Sequence, residues 1–302
     1  MLNLLIYAAV AIFVLVLIAK FVKYSTMPVH LRWEIYPVPH DPRHEHGGSY
    51  YEEVSWWAKP RQKTLAGELK EMLMEMLFIK RIFTYKRSLW WLTYPFHTGI
   101  YLILLWFVLL FVSALIDIFA VEVLKMPAYY LTLIVGSIAI VLLLIFSLAL
   151  LIRRISDWEL RNYSSFLDYF NLIFIFAVVA TGVLAWQKDV DFTLAKNYMK
   201  ALITFSSPPA VSLETQVHIV LLSLLLIYLP FTKMTHFLAK WFTYHKILWE
   251  DEPVMGSEMD EKLKKYLTQY KVKWSAPHID PNLSWAEEAT KCDLAGRCEV
   301  KL

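Results

Sequence analysis

The sequence predicts an all-α membrane protein, with five transmembrane helices in one bundle, a polar insertion after the first helix and a polar C-terminal tail. Three observations carry that prediction. The 302-residue chain is 58% hydrophobic and 16% aromatic, with a mean hydropathy of +0.45, well outside the range of water-soluble domains. Its apolar residues gather into five runs of roughly 18 residues or more, the length that crosses a bilayer. Its basic residues concentrate in alternate connecting segments.

The five runs lie near Leu2–Phe21, Pro95–Ile116, Ala128–Ile152, Phe166–Trp186 and Leu213–Phe237. The first has no basic residue ahead of it and carries its cations, Lys20 and Lys23, at its far end. That is the pattern of a retained anchor with its N-terminus outside, not of a cleaved signal peptide. Lys59, Arg61, Lys63, Lys70, Lys80, Arg81, Lys86 and Arg87 lie between the first and second spans, and Arg153, Arg154 and Arg161 between the third and fourth. The opposite connections hold Lys125, then Lys188, Lys196 and Lys200. The positive-inside rule therefore expects a multi-pass protein of the cytoplasmic (inner) membrane with its C-terminus in the cytoplasm, and reads Arg153 and Arg154 as interfacial anchors. The expected organisation is transmembrane helix 1 over residues 1–23, a cytoplasmic insertion over 24–91, transmembrane helices 2–5 over 92–240 and a cytoplasmic tail over 241–302.

The insertion has two sections. HLRWEIYPVPHDPRHEHGGSYYEEVSWW is rich in Pro, His and aromatics and is expected to be an irregular loop. Its histidines His30, His40, His44 and His46 have neither helix-face nor zinc-finger spacing and read as surface or packing residues. GELKEMLMEMLFIKRIF places Leu69, Met72, Leu73, Met76 and Phe83 near helical spacing, with Glu68, Lys70, Glu71, Glu75 and Lys80 mostly around the other side. This predicts an amphipathic helix along the membrane interface or under a partner. The tail is charged, with scattered Trp, and is expected to order by docking on another subunit. Its two cysteines, Cys292 and Cys298, read as free thiols in a reducing compartment, and the absence of C-x-x-C-H excludes c-type haem attachment.

Three histidines fall in the membrane: His97 at the start of the second span, and His218 and His236 at the two ends of the fifth. An ionisable group there marks function. In one unbroken helix, His218 and His236 would share a face and lie about 27 Å apart, too far for a single metal ion. Two sites, one near each face of the membrane, follow. Haem iron takes axial ligands from facing helices, and His97 and His236 sit at similar depth, so a haem b held between them fits the topology. Asp168, early in the fourth span, is expected near water or hydrogen-bonded by a neighbour and is not assigned to catalysis.

HIVLLSLLLIYLPFTKMTH resembles the last helix of the respiratory nitrate reductase gamma subunit family, whose five helices hold two b haems. PFHTGIYL, LALLIRRISDWELR and SSFLDYFNLIF are similar to the same family's second, third and fourth helices. That resemblance implies His97 and His236 as the inner haem ligands and His218 as an outer haem ligand. The family's further histidine on the second helix is Phe107 here, which leaves the partner of His218 open: a lysine or methionine from an external loop, an empty position, or no outer haem at all. HLRWEIYPVPH, GGSYYEE followed by WW, and the WSAPHI…SWAEEA tail resemble the membrane cytochromes of DsrMKJOP complexes and their HmeC-type relatives. This second resemblance implies a menaquinol-oxidising electron-transfer subunit of an oxidoreductase in sulfate respiration, with a DsrK-like iron–sulfur subunit and the other DsrMKJOP subunits as partners. Lys125, in the segment VEVLKMP, resembles the family's quinol-site lysine; its alternative is an interfacial anchor. The rival classes are a mono-haem or haem-free anchor and an ion-coupled transporter. A transporter wants broken helices and polar residues at mid-membrane, and the uninterrupted apolar centres of spans two, three and five argue against it.

Overall fold

The computed structural model describes residues 2–26, 54–55, 65–243, 258–273, 276 and 279–291. The histidines His30, His40, His44 and His46, and the cysteines Cys292 and Cys298, lie outside these residues. The expected all-α architecture is borne out, and five helices are long and apolar enough to cross a membrane. They are α1 (Leu2–Thr26), α4 (Arg87–Ile118), α5 (Glu122–Ser156), α7 (Phe166–Trp186) and α9 (Leu213–Tyr228), the last extended by a 3-10 turn to Phe231. Shorter helices α2 (Leu65–Phe78), α3 (Lys80–Tyr85), α6 (Trp158–Asn162), α8 (Thr193–Ile203) and α10 (His236–Thr243) connect or flank them.

Three spans are longer than expected: the first runs on to Thr26. The second and third, expected to start at Pro95 and Ala128, begin at Arg87 and Glu122, so Pro95 and Pro127 lie inside α4 and α5. Each removes one N–H near a helix start without ending the helix, a tolerance common in membrane helices. The fourth span matches its expected bounds because Ser165 and Asp168 form a capping box that fixes the first turn.

The spans pack in the order α4–α5–α7–α9–α1. Small residues let the α4–α5 seam close. A Cβ on Gly99 would fall 2.9 Å from Leu143 Cγ, and one on Gly136 only 2.4 Å from Trp106 Nε1. Ser113 and Thr132 face each other in the same seam at 3.2 Å, and Thr132 donates to the Ala128 carbonyl. Helices α1 and α4, at the two ends of this row, are bridged at both ends of the bundle. At the Lys125 end, α8 bonds α1 through Tyr198–Asn3 (2.8 Å) and Tyr7–Leu202 (2.7 Å), and pairs with α4 through Lys196–Asp117 (2.7 Å). At the His97 end, Tyr101 and Trp90 of α4 donate to the Met76 and Phe78 carbonyls of α2. Glu75 of α2 then pairs with Lys240 of α10 at 2.9 Å, and Phe242 of α10 packs on Phe21 of α1.

Within the chain, the helix α2 buries a mixed face and leaves most of its leucines outward. Met72 and Glu75 are buried, whereas Leu69, Leu73 and Phe83 are exposed. Lys240 and the Arg81 backbone N–H, 2.8 Å away, satisfy the Glu75 carboxylate, so a carboxylate occupies the inner face and the leucines turn outward.

The remaining described residues belong to a separate compact unit, formed by His30–Glu68 and His245–Leu302. Within it α11 (Glu258–Gln269) packs on α12 (Trp285–Thr290), which starts with a Ser284–Glu287 capping box; Lys271 bridges Ser284, and Val272 is buried between them.

Candidate functional site

The fifth span is not one helix. α9 stops at Tyr228, where Pro230 removes an N–H and crowds the preceding turn. Thr232 is extended (φ −111°, ψ 174°), and its hydroxyl accepts the Met234 N–H, starting a second 3-10 turn over Lys233–Thr235. α10 then begins at His236. The shared-face relation expected for His218 and His236 rested on an unbroken helix and does not hold.

This broken segment is held from two sides. Asp168, in the first turn of α7, pairs with Lys233 and lies 3.8 Å from Arg154; the Ser165 N–H and hydroxyl also donate to it, each at 2.8 Å. Lys20 of α1 donates to the Thr235 hydroxyl at 3.0 Å. The hydrogen bonding of Asp168 by a neighbour was expected, but its pairing with Lys233 and the Lys20–Thr235 contact escaped the sequence reading. Arg153 pairs with Asp157 at 2.7 Å and Arg154 bonds Ser164 at 2.9 Å, so both serve connections between helices.

The break brings His236 opposite His97. Their ring centroids are 6.3 Å apart, with the planes at 73°. His97 Nδ1 lies 2.8 Å from the Thr93 carbonyl and His236 Nδ1 lies 3.3 Å from the Lys233 carbonyl. If each Nδ1 carries the proton, each Nε2 is the free, basic nitrogen that metal ligation uses. Metal–nitrogen bonds of about 2.0–2.1 Å on both sides set two axial imidazoles roughly 6 Å apart between centroids. The measured separation meets that requirement, and a large interplanar angle is open to axial ligands. The residues present therefore fit a haem at this place.

His218 stands apart from this pair. Its Nδ1 lies 3.1 Å from the Val178 carbonyl and 3.4 Å from the Thr181 hydroxyl, both on α7. Its imidazole sits in the notch left by Gly182, where an added Cβ would come within 3.0 Å of Cε1. Here too Nε2 is left uncommitted. Phe107, at the position of the missing second histidine, packs against Trp106. Lys125 lies in the first turns of α5 rather than in a loop, and pairs with Glu122 three residues earlier at 2.6 Å. Among the described residues, no group of three or more His, Cys, Asp or Glu side chains could hold a bare metal ion.

The nitrate reductase gamma subunit profile matches residues 82–249, more than half of the chain. The chain belongs to the nitrate reductase gamma subunit family. That family consists of cytochrome b-type membrane subunits that carry electrons within multi-subunit oxidoreductases, and the chain is one of these by membership. The matched segment runs from α3 through α10 and so contains His97, His218 and His236, together with the break that delivers His236. The gamma-family match leaves out α1, with Lys20, and α2, with Glu75. No individual curated protein matches the chain.

Proposed function

We propose that this chain is the quinol-linked cytochrome b of a DsrMKJOP-type complex. In this reading it conducts electrons between menaquinol at the Lys125 end of the bundle and a DsrK-like iron–sulfur subunit at the Arg154 end. The observation that carries the reading is the His97–His236 pair, 6.3 Å apart with both Nδ1 atoms turned to backbone carbonyls. Haem b, bound there, supplies one-electron carriage.

The chain's own residues do the rest. His97 and His236 hold the inner haem through Nε2, and the Thr93 and Lys233 carbonyls fix their ring orientation. His218 holds an outer haem from one side, oriented by Val178, Thr181 and the Gly182 notch. Lys125, at a helix start beside Glu122, donates a hydrogen bond to a quinol oxygen. The N-terminus lies outside and the tail lies in the cytoplasm, where it docks on the iron–sulfur partner. The basic residues at the His97 end support that orientation.

The test is the reduced-minus-oxidised optical spectrum of the purified protein from haem-sufficient cells, with and without a menaquinol analogue. The reading expects b-type bands that the quinol reduces. A colourless protein contradicts it, and bands unresponsive to quinol contradict the quinol assignment alone.

A further inference from the structure

Several cations near the His236 end of the bundle are matched by carboxylates. Lys233 and Arg154 share Asp168, Arg153 has Asp157, Lys240 has Glu75 and Lys86 has Glu159. Lys23, Lys70, Arg81, Arg87 and Arg161 have no described carboxylate partner but are exposed; Lys20, also without one, is partly buried. It lies within the membrane-crossing helix α1. Its contact is the Thr235 hydroxyl, at 3.0 Å.

That contact leaves Lys20 under-used. Thr235 gives its own proton to the Thr232 carbonyl at 3.0 Å, so its hydroxyl only accepts from Lys20. One of three ammonium N–H donors is thereby engaged within the chain. A cation at this depth is costly unless it meets an anion or reaches water. The hydroxyl it touches belongs to the residue immediately before His236, and Thr235 itself is buried. An anion that meets this ammonium would therefore lie beside the His97–His236 pair, and haem carries propionate carboxylates.

We infer that Lys20 is a cofactor-binding residue, the counter-ion of a carboxylate of the haem held between His97 and His236. The inference rests on the reading of those two histidines as ligands. It assigns α1, which has no histidine, a direct part in the site.

The test compares Lys20→Met, Lys20→Arg and Thr235→Val in the full-length purified protein by an optically monitored redox titration. Losing a neighbouring cation favours the more positive, oxidised haem. Lys20→Met is therefore expected to shift the reduced-to-oxidised ratio of one haem about tenfold toward oxidised at fixed potential, about 59 mV for one electron. Lys20→Arg and Thr235→Val keep the charge and are expected to stay near the parent. Loss of that haem in Lys20→Met alone supports the same assignment. Equal shifts or equal haem loss in Lys20→Met and Thr235→Val show a pinning role only and overturn the inference. So does an unshifted Lys20→Met, which marks a lysine reaching to the membrane surface. His97→Ala runs in parallel: if it keeps every haem, the ligand reading has failed, and the inference falls with it.

Discussion

Lys233 and Asp168 form an ion pair that ties the break in the fifth span to the first turn of the fourth. The Lys233 carbonyl also lies 3.3 Å from His236 Nδ1, so the residue that holds the turn also orients the histidine. Most spans of this protein meet through apolar surfaces, but the segment that presents His236 is placed by charge and by hydrogen bonds.

Asp168→Asn is expected to loosen that segment. Lys233 is largely exposed and screened, so the stability cost is modest, about 1 kcal/mol. The more specific effect is on His236, whose haem should show a changed low-spin electron paramagnetic resonance signal as the imidazole reorients. An unchanged signal would show that the turn is set by Pro230 and Thr232 without the ion pair.

Gly182→Ala places a methyl group within 3.0 Å of the His218 imidazole. The ring must move away from the Val178 carbonyl, and overpacking of this kind costs about 1–3 kcal/mol. The haem proposed at His218 should be lost or altered while the His97–His236 haem persists. Loss of both bands together, in a folded protein, would argue against two independent sites.

Gly136→Ala tests the α4–α5 seam without touching either histidine site. Its Cβ would sit 2.4 Å from Trp106 Nε1 and 2.7 Å from Phe192, in a packed contact with little room to yield. A thermal unfolding midpoint well below the parent is expected, with the haem spectrum unaltered in the protein that folds. Parent-like stability would mean that the seam relaxes more readily than its packing implies.

Glu75→Gln removes one partner of a buried ion pair and leaves Lys240 uncompensated between α2 and α10. Breaking such a pair from one side costs about 3–5 kcal/mol, and the 28% exposure of Lys240 places the expected loss at or below the low end. Limited proteolysis should then cut near α2 faster than in the parent. Equal cleavage would show that Tyr101 and Trp90 hold α2 by themselves.

The membrane architecture was legible in the sequence because length and hydropathy fix spans almost unaided, and the fourth span was placed residue for residue. The fifth was misread at its end: apolar counting runs straight through Leu229, Pro230 and Phe231, and Thr232 sets the turn with a hydroxyl that carries little hydropathy signal. That His97 and His236 lie near each other was expected from topology, but the break that brings them together was not, since a continuous helix was assumed. The burial of Glu75 was not legible either, because the lysine that satisfies it lies 165 positions away in the chain. Glycine notches such as Gly182 leave no pattern in a single sequence, since what matters is the ring that fills them.

The most direct measurement is the b-haem spectrum of His97→Ala, His236→Ala and His218→Ala in purified, folded protein. The account predicts that the first two abolish the same haem, and that His218→Ala spares that one and removes another. Different haems lost from His97→Ala and His236→Ala, or none lost from either, would contradict it.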